Sequence, residues 1–246
     1  MLPRFHAPEL HADSDRCALT GDEARHLARV LRLGPGAEVR VFDGRGLERA
    51  ATVAAIARDE VVLALGGPVS AARELPFALT LVQALLKGDA MDAVVRDATM
   101  LGVTAIQPVL TARCEVAAAS VAKRGRQARW HRIAVSSAKQ CGRAVVPDIR
   151  AAFSLTEALD GARGEAIVFL AEPSSAADVD RIGKLPAPGG APVAVFVGPE
   201  GGWTQDELSE AAAAGVRFVT LGERTLRADA AALVALPVLL YAWGAL

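Results

Sequence analysis

The segment GPEGG, residues 198–202, follows an apolar run and places three glycines and one carboxylate where a buried strand should end. Gly198, Gly201 and Gly202 can adopt positive φ, and without a Cβ atom they let the backbone come close to a ligand. Glu200 would repel a phosphate and therefore favours a cationic or amine-bearing ligand. A tight turn without any ligand is the alternative interpretation of the same residues.

A helix start follows this segment. Thr204 and Glu207 have the spacing of a capping box, which predicts that a helix begins here. Because the first amides of a helix have no partner within it, the loop and the helix together present donors that suit an adenine edge or a carboxylate.

The motifs of several common enzyme classes are missing from the sequence. It contains no GxxxxGK[ST] phosphate loop, no GxGxxG dinucleotide loop, and no GxSxG or HExxH motif. The 4 histidines are scattered, and no spacing of cysteine and histidine resembles a metal site. Nucleotide hydrolysis, Rossmann redox chemistry and zinc hydrolysis are therefore not predicted, and no metal is expected.

The composition indicates a folded chain with a sizeable core, because 52% of its 246 residues are hydrophobic and 22% are charged. No uncharged apolar run reaches the length of a membrane helix, and the closest, residues 230–246, contains Pro237. The N-terminus has no apolar signal segment, and the 3 cysteines are far apart, which is typical of reduced thiols. We expect a cytoplasmic protein that has no membrane span.

Positive charge is concentrated in one segment, although the formal net charge of the chain is −1. Residues 122–143 contain no acidic side chain and carry these basic ones: Lys123, Arg124, Arg126, Arg129, Arg132, Lys139 and Arg143. A contact with a polyanion and a solvated helix surface explain this segment about equally well.

The first part of the chain, residues 1–70, contains short strands and turns around one helical segment. Thr20 and Glu23 have capping-box spacing, and Leu27, Val30 and Leu31 then fall on one helical face. These patterns predict a small β-barrel with one helix.

A linker is predicted over residues 66–76, and the pattern then changes to strands that alternate with helices. Such alternation predicts an α/β fold with a parallel sheet covered on both faces. The segments LAEP, VGPEGG and LGERTLR each follow a predicted strand, so we expect them at one edge of the sheet, where such folds bind ligands.

The residues at these strand exits resemble a known family. VGPEGGWTQDEL followed by VTLGERTLRADAAALVAL is similar to the C-terminal signature of the RsmE family, the SPOUT-type ribosomal RNA uridine-N3 methyltransferases. The segments HLARVLRL, VFDGRG, LLKGDAMD, LGVTAIQPVLTAR and RWHRIAVSSAKQCGR fall in the family's order. The resemblance thus covers nearly the whole chain.

The resemblance implies a PUA-like β-barrel over residues 1–70 that helps to hold RNA. It implies a SPOUT domain over residues 74–246, in which the parallel sheet forms a deep trefoil knot. The family's function would be methylation of N3 of a specific uridine in small-subunit (16S) ribosomal RNA, by a homodimer that uses S-adenosylmethionine. The substrate would be the free RNA or the assembled small ribosomal subunit.

The resemblance also implies which residues hold the methyl donor. Backbone groups at the three exits would bind its adenine, ribose and methionine parts, and Leu221 and Leu226 would cover the adenine unless they belong only to the core. The implied cofactor-binding residues are Leu170, Ala171, Glu172, Val197, Gly198, Pro199, Glu200, Gly201, Gly202, Leu221, Gly222, Thr225, Leu226 and Arg227.

Transfer to uridine N3 requires that the proton on this nitrogen leave before or during attack on the methyl group. Asp229 is the first candidate for the base and Glu200 the second, while Arg227 would stabilise the charge that develops on the oxygens of the uracil. The chain departs from the family here: Asp229 stands where the family has glutamate, and Ala228 and Ala230 replace threonines.

A set of polar and basic residues is assigned to RNA, with the expectation that some are only surface charges: Arg4, Arg29, Arg32, Arg113, Lys139, Gln140 and Arg143. Phosphate contacts of this kind position RNA without specifying its sequence. Two other functions stay open at this point. One is a SPOUT methyltransferase that acts on the ribose 2′-OH or another RNA base, and the other is a non-catalytic RNA-binding factor in ribosome assembly.

Overall fold

The structure is a computed structural model that describes residues 2–115, 125–172 and 179–246. Two basic residues of the charged segment, Lys123 and Arg124, lie outside the described residues.

The contacts within the chain divide it into two compact units. The first unit consists of Met1–Glu74 and Val135–Val146, and the second consists of Leu75–Ala134 and Pro147–Leu246. The first unit therefore includes a short segment from the middle of the chain, which the sequence patterns do not predict.

The first unit contains a five-stranded sheet formed by β1 (Arg4–His6), β2 (Arg16–Thr20), β3 (Glu38–Phe42), β4 (Glu48–Ile56) and β5 (Glu60–Pro68). Its order is β1-β3-β4-β5-β2, in which β1 and β3 are parallel and the other neighbours are antiparallel. Alternate residues such as Val39 and Val41, or Val61 and Leu63, are buried in one core. β5 extends to Pro68, so the linker predicted over residues 66–76 begins inside a strand.

The helix of the first unit begins differently from the prediction. α1 (Gly21–Arg25) starts after Thr20, whose side chain makes no capping hydrogen bond. The Glu23 carboxylate instead accepts hydrogen bonds from the His6 amide, at 3.1 Å, and from the Lys139 ammonium, at 2.9 Å. The predicted capping box is therefore wrong, because Glu23 is used for contacts with distant parts of the chain.

The predicted apolar face of this helix is also only partly correct. α1 continues into a π-helical turn, His26–Val30, in which Leu27 is buried and Val30 is 68% exposed, and Leu31, directly after the turn, is 40% exposed. A π-helical turn adds a residue to each hydrogen-bonded ring, so it shifts the later side chains away from the face that an α-helix would present.

The second unit contains a parallel sheet of β6 (Leu79–Ala84), β7 (Ala105–Leu110), β8 (Asp148–Ile149), β9 (Phe153–Ser154), β10 (Ala166–Leu170), β11 (Asp180–Arg181), β12 (Val193–Val197) and β13 (Arg217–Thr220). Its order is β11-β13-β10-β12-β6-β7-β8, and β9 also pairs with β7. The remaining helices are α2 (Ala90–Met100), α3 (Gly125–Cys141), α4 (Leu155–Gly161), α5 (Gln205–Ala213) and α6 (Ala228–Ala242), with a 3-10 turn at Ile182–Lys184.

The central strands β6 and β12 are buried at every residue, as expected for a parallel sheet that is covered on both faces. This arrangement confirms the predicted α/β fold, while the knot stays a prediction. In the described ranges of the chain, no helix is long and apolar enough to cross a membrane, and α6 contains Pro237.

Cys17 on β2 provides a test of the first unit's packing. Burial raises the pKa of its thiol to about 11, although the charge of Arg49 acts in the opposite direction. At pH 8 we expect Cys17 to react with iodoacetamide roughly a hundred times more slowly than a cysteine with an ordinary pKa, because the thiolate is the reactive form. Peptide mass spectrometry of a time course would measure this rate, with Cys17→Ala to assign the adduct.

The same shift has a consequence for stability. Since the folded state holds this proton more tightly than the unfolded chain, the stabilisation is complete below pH 9 and is lost as the pH rises to about 11. Alkylation of Cys17 at the rate of a free peptide thiol would contradict the packing described here.

Candidate active site

Three strand exits of the second unit line an open cleft. Its lining comes from residues 170–172 after β10, residues 197–203 at the end of β12, and residues 220–231 after β13. Because β13, β10 and β12 are neighbours and parallel, their carboxyl ends lie side by side. The prediction that these exits share one edge of the sheet is confirmed.

Trp203 links two of these exits. Its indole Nε1 donates a 2.8 Å hydrogen bond to the carbonyl of Leu170, and its ring centroid lies 4.4 Å from that of Phe169. A Cβ atom at Gly198 would lie 3.0 Å from the indole, so a side chain there would press against the ring. The protein's own packing against Trp203 therefore favours glycine at position 198.

The other two glycines of the loop are also held by neighbouring side chains. A Cβ atom at Gly201 would lie 2.9 Å from Cβ of Arg113, whose guanidinium donates to the carbonyls of Gly201 and Trp203 at 3.0 and 3.1 Å. Gly202 has φ +68°, and a Cβ atom there would lie 3.0 Å from Glu172 Oε1. The glycine-rich loop is therefore held by the two hydrogen bonds from Arg113, and it has little room for a side chain on the side of Glu172.

The predicted capping box after this loop is present. Thr204 Oγ1 accepts a hydrogen bond from the Glu207 amide, and Glu207 Oε2 accepts one from the Thr204 amide, at 3.2 and 2.8 Å. Glu207 Oε1 also accepts a 2.7 Å hydrogen bond from the Ala112 amide. The start of α5, and with it the end of the loop, is thereby tied to the segment that follows β7.

This cap gives a matched pair of stability predictions. We expect Thr204→Ala to lower the free energy of unfolding by about 1 kcal/mol, because the first turn of α5 loses its side-chain acceptor. Thr20→Ala should change it by less than about 0.5 kcal/mol, since Thr20 makes no capping bond. Urea unfolding followed by circular dichroism compares the two variants, and equal losses would contradict the assignment of the cap.

Most of the residues predicted to bind the methyl donor line the cleft: Leu170, Ala171, Glu172, Val197, Gly198, Pro199, Gly202, Leu221, Thr225 and Leu226. Four others, Glu200, Gly201, Gly222 and Arg227, are not in its lining within the described part of the chain. Gly222 instead lines a neighbouring cavity.

Asp229 lies in the first turn of α6, between the cleft-lining residues Ala228 and Ala231. Its Oδ1 atom accepts hydrogen bonds from the Ala230 amide, at 3.0 Å, and from Arg227 Nε, at 3.3 Å. A carboxylate in this position is favoured by the positive end of the helix dipole. The side chain is 33% exposed, so it is not sealed inside the protein.

Glu200, the second candidate base, lies in the glycine-rich loop. Its Oε1 atom accepts a 3.2 Å hydrogen bond from the Lys87 amide, at an exposed position. Neither Glu200 nor Asp229 is among the residues that line the cleft within the described part of the chain, but Asp229 directly follows Ala228, which does line it.

Several residues that the sequence assigns to RNA are engaged inside the first unit. Arg4 is 6% exposed and binds both oxygens of the Glu48 carboxylate, at 3.0 and 2.8 Å. It also donates to the carbonyls of Ala138, Lys139 and Arg143, at 2.6 to 3.0 Å, so it caps the end of α3.

Two basic residues in or near α3 are likewise paired with carboxylates. The Arg143 guanidinium is 4% exposed and binds Glu74, with distances of 2.6 to 3.0 Å. The Lys139 ammonium binds Glu23 at 2.9 Å and is 13% exposed. These cations are neutralised by the protein itself, and the remaining members of the set, Arg29, Arg32, Arg113 and Gln140, are exposed.

The cleft also contains residues that the sequence analysis did not assign: Trp203, Thr220, Arg224, Ala228 and Ala231. Trp203 and Arg224 lie within the two motifs that carried the resemblance, so the sequence alone could have assigned them to the site. Thr220, Ala228 and Ala231 lie within the second of these motifs as well, although only the tertiary fold brings one face of α6 to the cleft.

Comparisons with known proteins agree with this architecture. An RNA methyltransferase domain matches residues 73–240, and an RNA methyltransferase PUA domain matches residues 19–65. The Ribosomal RNA small subunit methyltransferase E of Synechocystis sp. is 34% identical over 224 residues, which are 89% of this chain and 70% of that protein.

Two solved structures resemble the whole chain. A Ribosomal RNA small subunit methyltransferase E from Neisseria gonorrhoeae, bound to S-adenosyl methionine, has a TM-score of 0.88 and 34% identity, and the match covers 99% of this chain and 98% of that one. A putative methyltransferase from Legionella pneumophila, with the bound cofactor SAM, has a TM-score of 0.90 and 28% identity, with 98% of each chain covered. This chain therefore belongs to the ribosomal RNA small subunit methyltransferase E family.

Proposed function

We propose that this protein transfers a methyl group from S-adenosylmethionine to N3 of a uridine in small-subunit ribosomal RNA, in the cytoplasm. The observation that carries the proposal is the cleft formed by the three strand exits, in a chain of this family. Two related proteins of the same fold have been solved with this methyl donor.

The chemistry of the cleft fits this donor. Leu221 and Leu226 offer apolar surface for an adenine ring, and the backbone at Gly198 and Gly202 can be approached closely. The carboxylate of Glu172, beside Gly202, attracts a positively charged group, while S-adenosylmethionine carries none of the phosphates that a phosphate loop would hold. When bound, the donor supplies an electrophilic methyl group, and the protein supplies binding and orientation.

The residues of the first turn of α6 would act on the uracil. Asp229 would accept the proton from N3, and its position is maintained by the Ala230 amide and by Arg227. Arg227 is 86% exposed, so its guanidinium can also turn towards the uracil oxygens as negative charge develops there.

We also propose a homodimer, which is supported by an exposed apolar stripe on α6. Leu233 and Val234 are 45% and 39% exposed, and Tyr241, two turns further along the same side, is 79% exposed. Exposed apolar side chains in such a row are typical of an interface between subunits. Because the stripe runs along the helix that also lines the cleft, a partner bound there would lie close to the site.

Dimer formation gives a direct prediction. We expect Val234→Glu to shift the mass measured by light scattering from that of a dimer to that of a monomer, because a charge would be buried without a partner. Val30→Glu, at a position that is 68% exposed in the first unit, should leave the dimer intact. If the Val234→Glu variant stays dimeric, the stripe is not the interface.

The proposed function is tested by two measurements. Calorimetry should detect binding of S-adenosylmethionine, and a digest of small-subunit ribosomal RNA methylated by the protein should contain N3-methyluridine in mass spectrometry. Absence of binding at millimolar donor would contradict the enzyme assignment. Detection of 2′-O-methylated nucleotides without methyluracil would instead indicate action on the ribose.

A further inference from the structure

A second open cavity adjoins the cleft. It is lined by residues 181–184 and by residues 220–224, and it shares Thr220, Leu221 and Arg224 with the cleft. β11 pairs with β13 so that Arg181 lies in register with Thr220. This pairing fixes the cavity beside the last strand exit, and the two spaces have a common wall.

The second cavity carries an excess of positive charge. Three exposed cations, Arg181, Lys184 and Arg224, line it together with one carboxylate, Glu223. Within the described parts of the chain, none of these three cations is paired with a carboxylate. We call this space the basic cavity.

The basic segment around α3 provides a contrast. Arg129 is paired with Asp89 and Asp92, in addition to the pairs of Lys139 and Arg143 described above. A cation that already has a carboxylate partner gains less from a phosphate, because the first partner must be displaced. The unpaired cations of the basic cavity are therefore better placed to bind an anion than much of the segment that the sequence singles out.

We infer that the basic cavity binds backbone phosphates of the RNA substrate next to the target nucleotide. This inference rests on the proposed function, in which the target base enters the cleft. The cleft is lined by one carboxylate, Glu172, and one cation, Arg224, whereas the basic cavity is lined by three cations and one carboxylate, so a phosphate is attracted more strongly to the basic cavity. Arginine forks and lysine ammonium groups are the usual phosphate ligands at such sites.

The test removes two charges from the basic cavity and leaves Arg224, which also lines the cleft, unchanged. The variant is Arg181→Gln/Lys184→Gln. The matched control is Arg163→Gln/Arg217→Gln, which removes the same charge near the starts of β10 and β13, at the opposite edge of the sheet. A charge-preserving variant, Arg181→Lys/Lys184→Arg, tests whether the loss is one of charge.

The probe is a fluorescein-labelled single-stranded RNA of about 12 nucleotides that contains uridine. Its affinity is measured by fluorescence anisotropy at several salt concentrations, and the affinity for S-adenosylmethionine is measured by calorimetry. Loss of two phosphate contacts should lower the slope of log affinity against log salt by about 1.4 and weaken RNA binding by about tenfold at low salt. The donor should bind within about twofold of wild type, since the substituted residues do not line the cleft.

The charge-preserving variant should bind RNA like wild type. Equal RNA affinity and salt slope in the cavity variant and the matched control would overturn the inference, whether both variants are weakened or neither is. Failure of the proposed function would be visible separately, because the wild-type protein would then bind no donor and produce no methyluridine.

Discussion

Asp229→Asn should reduce the rate of methyl transfer at saturating substrates by about 10² to 10⁴, the usual contribution of a positioned general base. The asparagine oxygen can still accept the hydrogen bond from the Ala230 amide, so the first turn of α6 should keep its shape. Binding of S-adenosylmethionine should stay within a few-fold of wild type. The measurement combines single-turnover methylation with calorimetry.

The pH profile separates loss of a base from a general disturbance of the site. In the Asp229→Asn variant hydroxide replaces the carboxylate, so the logarithm of the rate should rise with pH by about one per unit over a range where wild type changes little. Asp206→Asn, in the first turn of α5, is the matched control and should keep normal activity. A fully active Asp229→Asn variant would move the role of base to another group, and Glu200 would be the next residue to change.

Trp203→Ala should have the largest effect on the structure of the cleft. The indole is 7% exposed and packs on Phe169, so its removal should lower the free energy of unfolding by about 3–5 kcal/mol. The Leu170 carbonyl and the loop at Gly198 would lose their common support, and binding of S-adenosylmethionine should become too weak to measure. Chemical unfolding and calorimetry of the same preparation test both effects.

Two conservative substitutions separate the hydrogen bond from the packing. Trp203→Phe keeps an aromatic ring in place but removes the N–H group that donates to the Leu170 carbonyl. This change should lower the free energy of unfolding by about 1 kcal/mol and also weaken the binding of S-adenosylmethionine. Trp243→Phe removes a comparable 3.3 Å hydrogen bond, to the Leu185 carbonyl, away from the cleft. Trp243→Phe should lower the free energy of unfolding by a similar amount without changing the affinity for S-adenosylmethionine. A loss of affinity in this variant would show that the effect of Trp203→Phe is not local to the cleft.

The features that could be predicted from the sequence are those whose partners are close along the chain. The capping box of Thr204 and Glu207 involves residues three positions apart, and the structure contains it. The position of the three strand exits at one edge follows from the alternation of strands and helices alone. Gly198 was correctly placed in the cleft, although its contact with the Trp203 ring was not foreseen.

The features that could not be predicted depend on partners far away in the sequence. Arg143 binds Glu74, 69 positions away, and Lys139 binds Glu23, 116 positions away. A segment without acidic residues therefore looks strongly basic in the sequence although carboxylates from elsewhere neutralise part of it. The unpaired cations Arg181 and Lys184 lie outside that segment, and no pattern in the sequence singles them out.

The discontinuity of the first unit has a consequence for synthesis on the ribosome. The guanidinium of Arg4 needs the carbonyls of Ala138, Lys139 and Arg143, which leave the ribosome long after the strands around it. At a translation rate of about 5–20 residues per second, the nascent strands must wait several seconds for these acceptors. In a fragment that stops at Glu74, Arg4 would lack three of its hydrogen-bond acceptors, so we expect that no single cut divides this RNA-methyltransferase chain into two independently folding halves.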